Sequence, residues 1–214
     1  MNLKNELLTT RKTFIESIPS EALDIIVESD KDLLSKHLSE NALAVGDSIP
    51  NIVLPNVKNE EVSLSSYLEK GPIVLSFYRG GWCPYCNLEL QSLQEKLPAF
   101  KALGASLITI TPETPDNSLN TSEKNNLEFE VLSDQGNKVA REFGLVFQMP
   151  KELSDLYHAF DLHVNEHNGD EKYELPMPAT YIVGSDGKIV YAFVAEDYTQ
   201  RAEPQELVTV LENL

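Results

Sequence analysis

Phe77-Tyr78-Arg79-Gly80-Gly81-Trp82-Cys83-Pro84-Tyr85-Cys86 separates two segments of different periodicity. Before it, Ile73-Val74-Leu75-Ser76-Phe77-Tyr78 is an apolar, β-branched run of the kind that forms a strand buried on both faces. After it, Leu88, Leu90, Leu93, Leu97 and Phe100 recur at helical spacing, and Pro98 predicts a kink or break near the end. Cysteines three apart at a helix start can close a disulfide ring with little backbone movement. The helix N-terminus offers unpaired N–H groups and a positive dipole end, which both favour a thiolate. Pro84 suits an early helical position because it has no N–H to satisfy. Arg79 is the one charged side chain between Pro72 and Leu88, and it adds positive charge beside the sulfurs.

These two cysteines are the only ones in 214 residues. Two are too few for a disulfide scaffold or a four-cysteine zinc site, and a chain of this length buries a core without them. A mixed zinc site would need His163-x-x-x-His167, but the loop signal Asn168-Gly169-Asp170 disfavours a regular helical face there. No metal or cofactor is expected. The net charge is −17, and residues 151–214 carry 13 acidic against 4 basic side chains. Such a surface repels phosphate backbones and anionic lipid, so neither nucleic acid nor a membrane is an expected partner. No apolar run approaches the roughly 20 residues that span a bilayer. The start, Met1-Asn2-Leu3-Lys4-Asn5-Glu6, lacks a secretory pattern. The expectation is a cytoplasmic protein.

Outward from the cysteines, the chain reads as α/β. Leu7, Leu8, Phe14, Ile15 and Ile18 predict a first helix, with a stop at Pro19 and a new start at Ser20. Leu23, Ile26 and Val27 give the second, and a third is expected from Asp30 to Leu38. Gly46-Asp47-Ser48-Ile49-Pro50 is loop chemistry, so residues 1–44 read as a helical extension and 45–214 as the main domain. Further strands are expected at 52–54, 106–110 and 128–132, with a helix through Val139, Ala140 and Phe143. Residues 145–176 are the least periodic. Gly184-Ser185-Asp186-Gly187 predicts a hairpin between 180–183 and 189–194, and Pro204 opens a last helix. This order predicts a central mixed β-sheet flanked by helices.

The whole stretch from about Val45 onward resembles the AhpC/TSA (peroxiredoxin-like) branch of the thioredoxin superfamily. The likeness rests on the Cys83–Cys86 segment, on Gly46-Asp47-Ser48-Ile49-Pro50 with Leu54, on Val62-Ser63-Leu64 with Tyr67, and on Glu174-Leu175-Pro176-Met177-Pro178-Ala179-Thr180 ahead of Asp186-Gly187-Lys188. It implies a thioredoxin-like fold, a cis bond at Met177–Pro178, and a Pro178 that faces the sulfurs and positions substrate. It places Cys86 at the family's peroxidatic position, Cys83 at its threonine and Arg79 at its proline. Pro178 stands where the family has a late arginine, so Arg79, or Arg201 in Asp197-Tyr198-x-x-Arg201, would have to supply that charge. Ser76 stands near the place of the buried acid of thioredoxins.

Under the leading reading the protein is an antioxidant thiol peroxidase: the Cys86 thiolate becomes a sulfenic acid and Cys83 condenses with it. A thioredoxin- or glutaredoxin-type dithiol would regenerate it, Trp82 and Tyr85 would shield the site, and a homodimer is admitted. Under the second, a thiol–disulfide oxidoreductase, Cys83 is the more exposed nucleophile toward a disulfide substrate and Cys86 resolves. A non-catalytic redox sensor, changing contacts through the helical extension, is the third. The residues alone leave open which thiol attacks. His37 and His158 read as surface or interface histidines, and Tyr157, Phe160 and Leu162 as pocket or core.

Overall fold

The computed structural model describes residues 2–214. The chain begins with helices α1 (Leu3–Ser17) and α2 (Ser20–Ser35) and a 3-10 turn over Leu38–Asn41. β1 (Val53–Pro55) and β2 (Glu61–Ser63) form a small antiparallel pair before the one-turn helix α3 (Ser65–Leu68). Then β3 (Ile73–Phe77), α4 (Pro84–Ala102), β4 (Ser106–Thr111), α5 (Pro115–Asn125) and β5 (Glu130–Ser133) alternate. α6 (Lys138–Glu142), β6 (Val146–Gln148), α7 (Lys151–Ala159), α8 (Val164–Asn168) and β7 (Glu174–Pro176) follow. β8 (Ala179–Val183), β9 (Ile189–Val194) and α9 (Pro204–Leu211) complete the chain.

The main sheet has the order β5-β4-β3-β8-β9. β3, β4 and β5 run parallel, while β8 lies antiparallel to both β3 and β9. Because side chains alternate along a strand, β3 feeds two cores. Ile73, Leu75 and Phe77 meet Ile108, Ile110, Phe143 and Tyr181 on one face. Val74 meets Leu93, Leu97 and Phe100 of α4 and Leu207 and Leu211 of α9 on the other. Ser76, on that second face, therefore points toward α4, and the Phe77–Cys83 connection leaves from the C-terminal end of the central strand.

Several local expectations change. Residues 20–35 are one helix, because Ala22, Ile26 and Leu33 keep a single buried stripe with no breaker between them. The separate helix expected over 30–38 does not form, and only the 3-10 turn follows. Pro98 lies inside α4 without ending it: Leu97 and Phe100, both buried, hold the last turn against the sheet despite the missing N–H. The irregular stretch 145–176 holds α7, α8 and a β6–β7 ribbon pairing Val146 with Pro176; all but the nine-residue α7 are five residues or shorter. The strand expected over 128–132 is β5, from Glu130. The expected hairpin is present, its turn closed by Gly187, whose φ of 79° suits glycine. All described peptide bonds are trans, Met177–Pro178 included; the cis bond implied by the resemblance is absent, in line with the ordinary X-Pro preference.

Candidate active site

α4 starts with Cys83 as its extended N-cap and Pro84 in its first turn, and that turn carries neither an acidic side chain nor a side-chain cap. Its positive end is thus left to the two sulfurs. Both cysteines are free thiols and both are fully buried, so the greater exposure expected of Cys83 is not found. The loop between β3 and α4 is folded tightly. A Cβ on Gly81 would lie 1.9 Å from Thr121 Oγ1 on α5, and one on Gly80 would strike the Trp82 ring. Gly81 also donates its N–H to the buried Glu113 carboxylate at 3.0 Å.

Two arginines converge on the pair, one per sulfur. Arg79 Nη2 donates to Cys83 Sγ at 3.2 Å, and Arg201 Nη2 donates to Cys86 Sγ at 3.5 Å. Their surroundings differ. Arg201 Nε donates to Glu89 Oε2 at 2.5 Å, with both side chains almost wholly withdrawn from solvent, and its Nη1 donates to the Tyr198 and Gln200 carbonyls. Arg79 has no such carboxylate partner among the described residues. Its guanidinium lies over the rings of Tyr198 and Trp82, 4.0 and 5.2 Å from the centroids. Rings offer a cation less than a carboxylate does, so Arg79 keeps more of its field for the neighbouring sulfur.

That asymmetry divides the thiols. Burial opposes ionisation of Cys83, but a hydrogen bond from Cys86 and the charges of Arg79 and Arg201 override it and hold the group well below the ordinary thiol range. Burial and the neighbouring Cys83 push Cys86 well above that range. The surroundings thus favour negative charge on Cys83 over Cys86. Burial likewise raises Glu89, against the pull of Arg201 and of hydrogen bonds from Thr180 and Ser76. Those bonds are 3.3 and 3.4 Å long. A buried acid therefore does stand beside Ser76, reached from α4 rather than from the strand.

Among the expected site residues, the fold brings Arg79, Trp82, Cys83, Tyr85, Cys86 and Arg201 together. Tyr85 is buried, with its ring 5.6 Å from that of Tyr198. Trp82 meets Tyr157 at 5.9 Å, which places Tyr157 at the site, whereas Phe160 is half exposed. Pro178 is buried between β7 and β8, and two residues on Thr180 donates to Glu89. His163 and His167 turn to different partners, the first to His158 at 2.8 Å and the second to Glu113 at 3.2 Å. Sequence reasoning missed Glu89, whose signal was a carboxylate amid the buried leucines of α4. A cavity of about 500 Å³ opens between α1 and the 197–206 segment, with Leu7, Arg11, Phe193 and Arg201 among its walls.

The AhpC/TSA family model matches residues 45–192. The thiol-disulfide oxidoreductase ResA of Bacillus thuringiensis is 21% identical over 165 residues, 77% of this chain and 78% of the relative. The chloroplastic peroxiredoxin Q of Triticum aestivum is 27% identical over 173 residues, 79% of this chain and 67% of the relative. Among solved structures, the peroxidoxin BcpB of Mycobacterium tuberculosis superposes with a TM-score of 0.65 at 21% identity, covering 80% of this chain and 98% of that one. This likeness shows a shared fold.

Proposed function

Because the chain belongs to the AhpC/TSA family, we propose that it is a thiol peroxidase, an oxidoreductase that reduces hydroperoxides with its Cys83–Cys86 pair. The observation that carries this reading is the Arg79 guanidinium, free of any carboxylate ion pair among the described residues, 3.2 Å from Cys83 Sγ, at the start of α4 and beside a second thiol. The relatives named peroxiredoxin support it. The charge distribution favours Cys83 for the first attack, although the resemblance assigns that step to Cys86.

The Cys83 thiolate attacks the terminal oxygen of the hydroperoxide, and the O–O bond breaks. Cys83 becomes a sulfenic acid and the remaining alkoxide takes the Cys86 thiol proton, leaving as an alcohol. Arg79 and Arg201 stabilise the charge that passes between sulfur and oxygen. The Cys86 thiolate then displaces hydroxide from Cys83 and closes the disulfide. A thioredoxin- or glutaredoxin-type dithiol supplies the two electrons that reopen it. Trp82 and Tyr85 keep water from the sulfenic acid. Among the described residues no helix is long and apolar enough to cross a membrane, and the reducing cytoplasm suits a pair that must be re-reduced at every turnover.

The test is single-turnover peroxide reduction by the wild type and by Cys83→Ser and Cys86→Ser. We expect Cys86→Ser to accumulate a sulfenic acid on Cys83 and Cys83→Ser to lose the fast phase. Sulfenic acid formed on Cys86 at the wild-type rate in Cys83→Ser would return the first attack to Cys86. A second reading, direct thiol–disulfide exchange through Cys83, is favoured by the same low thiol and by the relative named ResA. It replaces the first if the wild type exchanges with a protein disulfide but consumes no peroxide.

A further inference from the structure

The loop that carries Cys83 is fastened by a carboxylate that the peroxide chemistry does not use. Glu113 stands between β4 and α5 and is 1% exposed. Its Oε2 accepts the Gly81 N–H at 3.0 Å and the Thr121 hydroxyl at 3.4 Å. Its Oε1 lies 3.2 Å from Nδ1 of His167 on α8, whose side chain is a third exposed. One buried acid thus joins the redox loop to α5 and α8. A carboxylate withdrawn from water needs hydrogen bonds and a nearby cation to offset its burial, and these three partners supply both.

The Gly81 peptide is gripped on its other side as well. Asn87 Nδ2 donates to the Gly81 carbonyl at 2.8 Å and to the Cys83 carbonyl at 3.1 Å, and Asn125 of α5 donates to Asn87 Oδ1 at 2.9 Å. Trp82 comes next in the chain, and the Arg79 guanidinium lies 5.2 Å from its ring centroid. The indole N–H is buried and has no hydrogen-bond partner among the described residues. The ring is therefore placed by its packing and by the backbone that bears it. Arg79 in turn donates to Cys83 Sγ at 3.2 Å.

We propose that Glu113 is a positioning residue of the redox site, acting on Cys83 through the Gly81 peptide, Trp82 and Arg79. The proposal rests on the reading of Cys83 as the first thiolate. Glu113 Oε2 fixes the Gly81 N–H, the fixed peptide sets the Trp82 ring, and the ring keeps the guanidinium directed at the sulfur. The acceptor oxygen does this, not the charge. Among the described residues the carboxylate's hydrogen-bond and ion-pair partners are Gly81, Thr121 and His167, and neither sulfur nor either arginine of the site is one of them. A glutamine, which keeps a carbonyl oxygen at the same reach, meets the same need. Alanine leaves the Gly81 N–H without its partner and frees the loop.

The experiment compares full-length wild type with Glu113→Ala, Glu113→Gln and Glu113→Asp. Emission from Trp82, the single tryptophan, reports the loop, and alkylation of Cys83 against pH, read by peptide mass mapping, reports the sulfur. We expect Glu113→Ala to shift the emission and to raise the Cys83 midpoint by about half to one pH unit. Glu113→Gln should return both to the wild-type values, and Glu113→Asp, one methylene short of Gly81, should shift both in the direction of alanine. A wild-type Cys83 midpoint in Glu113→Ala, whatever its stability or emission, would overturn the proposal. Equal midpoint shifts in the glutamine and alanine variants would also overturn it, because the charge and not the acceptor would then be acting. Should Glu113→Ala fail to fold, a wild-type midpoint in Glu113→Asp is enough to reject it. A wild-type Cys83 that ionises as an ordinary thiol would overturn the reading beneath the proposal instead.

Discussion

Glu89 holds Arg201 by a 2.5 Å contact between two side chains that have almost no solvent exposure. Helix α4 thereby anchors a residue more than a hundred positions away and presents its guanidinium to Cys86. Cutting one partner from such a pair leaves a buried charge without compensation, at a cost of about 3–5 kcal/mol. Glu89→Gln should lower the denaturation midpoint accordingly. The freed Arg201 charge should also make Cys86 more acidic, a change that alkylation mapping reads separately from stability.

Arg79 donates to Cys83, the thiol proposed to react first. Replacing Arg79 by methionine keeps much of the buried stem but removes the charge 3.2 Å from Cys83 Sγ, and should raise the Cys83 midpoint by about 1–3 units. The fall of the single-turnover rate in acid should then begin at a correspondingly higher pH than in the wild type, in proportion to the thiolate lost.

The sign of the wild-type pH dependence follows from the depressed Cys83 group. The thiolate is fully formed well below the ordinary thiol range, so the peroxide step should be nearly flat as pH drops from 8 toward neutrality and decline in acid. A rate that climbs steeply through the ordinary thiol range would contradict the assignment.

Asp30, on α2, makes stability depend on pH. Its carboxyl is raised from the ordinary 3.8 to about 6, so the folded chain holds this proton more tightly than the unfolded chain does. Its contribution to stability is fully present below the ordinary value and is lost as pH rises through about 6. Asp30→Asn, which mimics the neutral form, should stabilise the protein at pH 7 by about 1–2 kcal/mol after solvent screening, with little change near pH 4. Urea unfolding at the two pH values checks this.

Gly81 leaves no room for a side chain, with Thr121 Oγ1 at 1.9 Å from an added Cβ. Gly81→Ala should cost about 1–3 kcal/mol by overpacking and move Trp82 away from Arg79. Trp82 is the chain's single tryptophan, so its fluorescence reports the displacement directly.

The redox segment and the sheet around it were legible in the sequence because their signals are local. A β-branched run, a Cys-Pro-x-Cys turn and a helical leucine period each lie within a few residues, and the physics of a buried strand and a helix N-terminus acts over that same distance. Arg201 was reachable only as an alternative, and Glu89 not at all, because an ion pair across 112 positions leaves no spacing to read. The elements between residues 145 and 176 escaped for a related reason: one nine-residue helix, one five-residue helix and two three-residue strands are held more by packing than by period.

Local signals sufficed to put two thiols at the start of a helix behind a central strand, with one positive charge nearby. The electrostatic bias between the two sulfurs arises only on folding. Folding gives each sulfur its own arginine, pairs Arg201 with Glu89, and leaves Arg79 among aromatic rings. In a buried site these fields act through space with little water to screen them, so the balance depends on distances that only the folded chain sets.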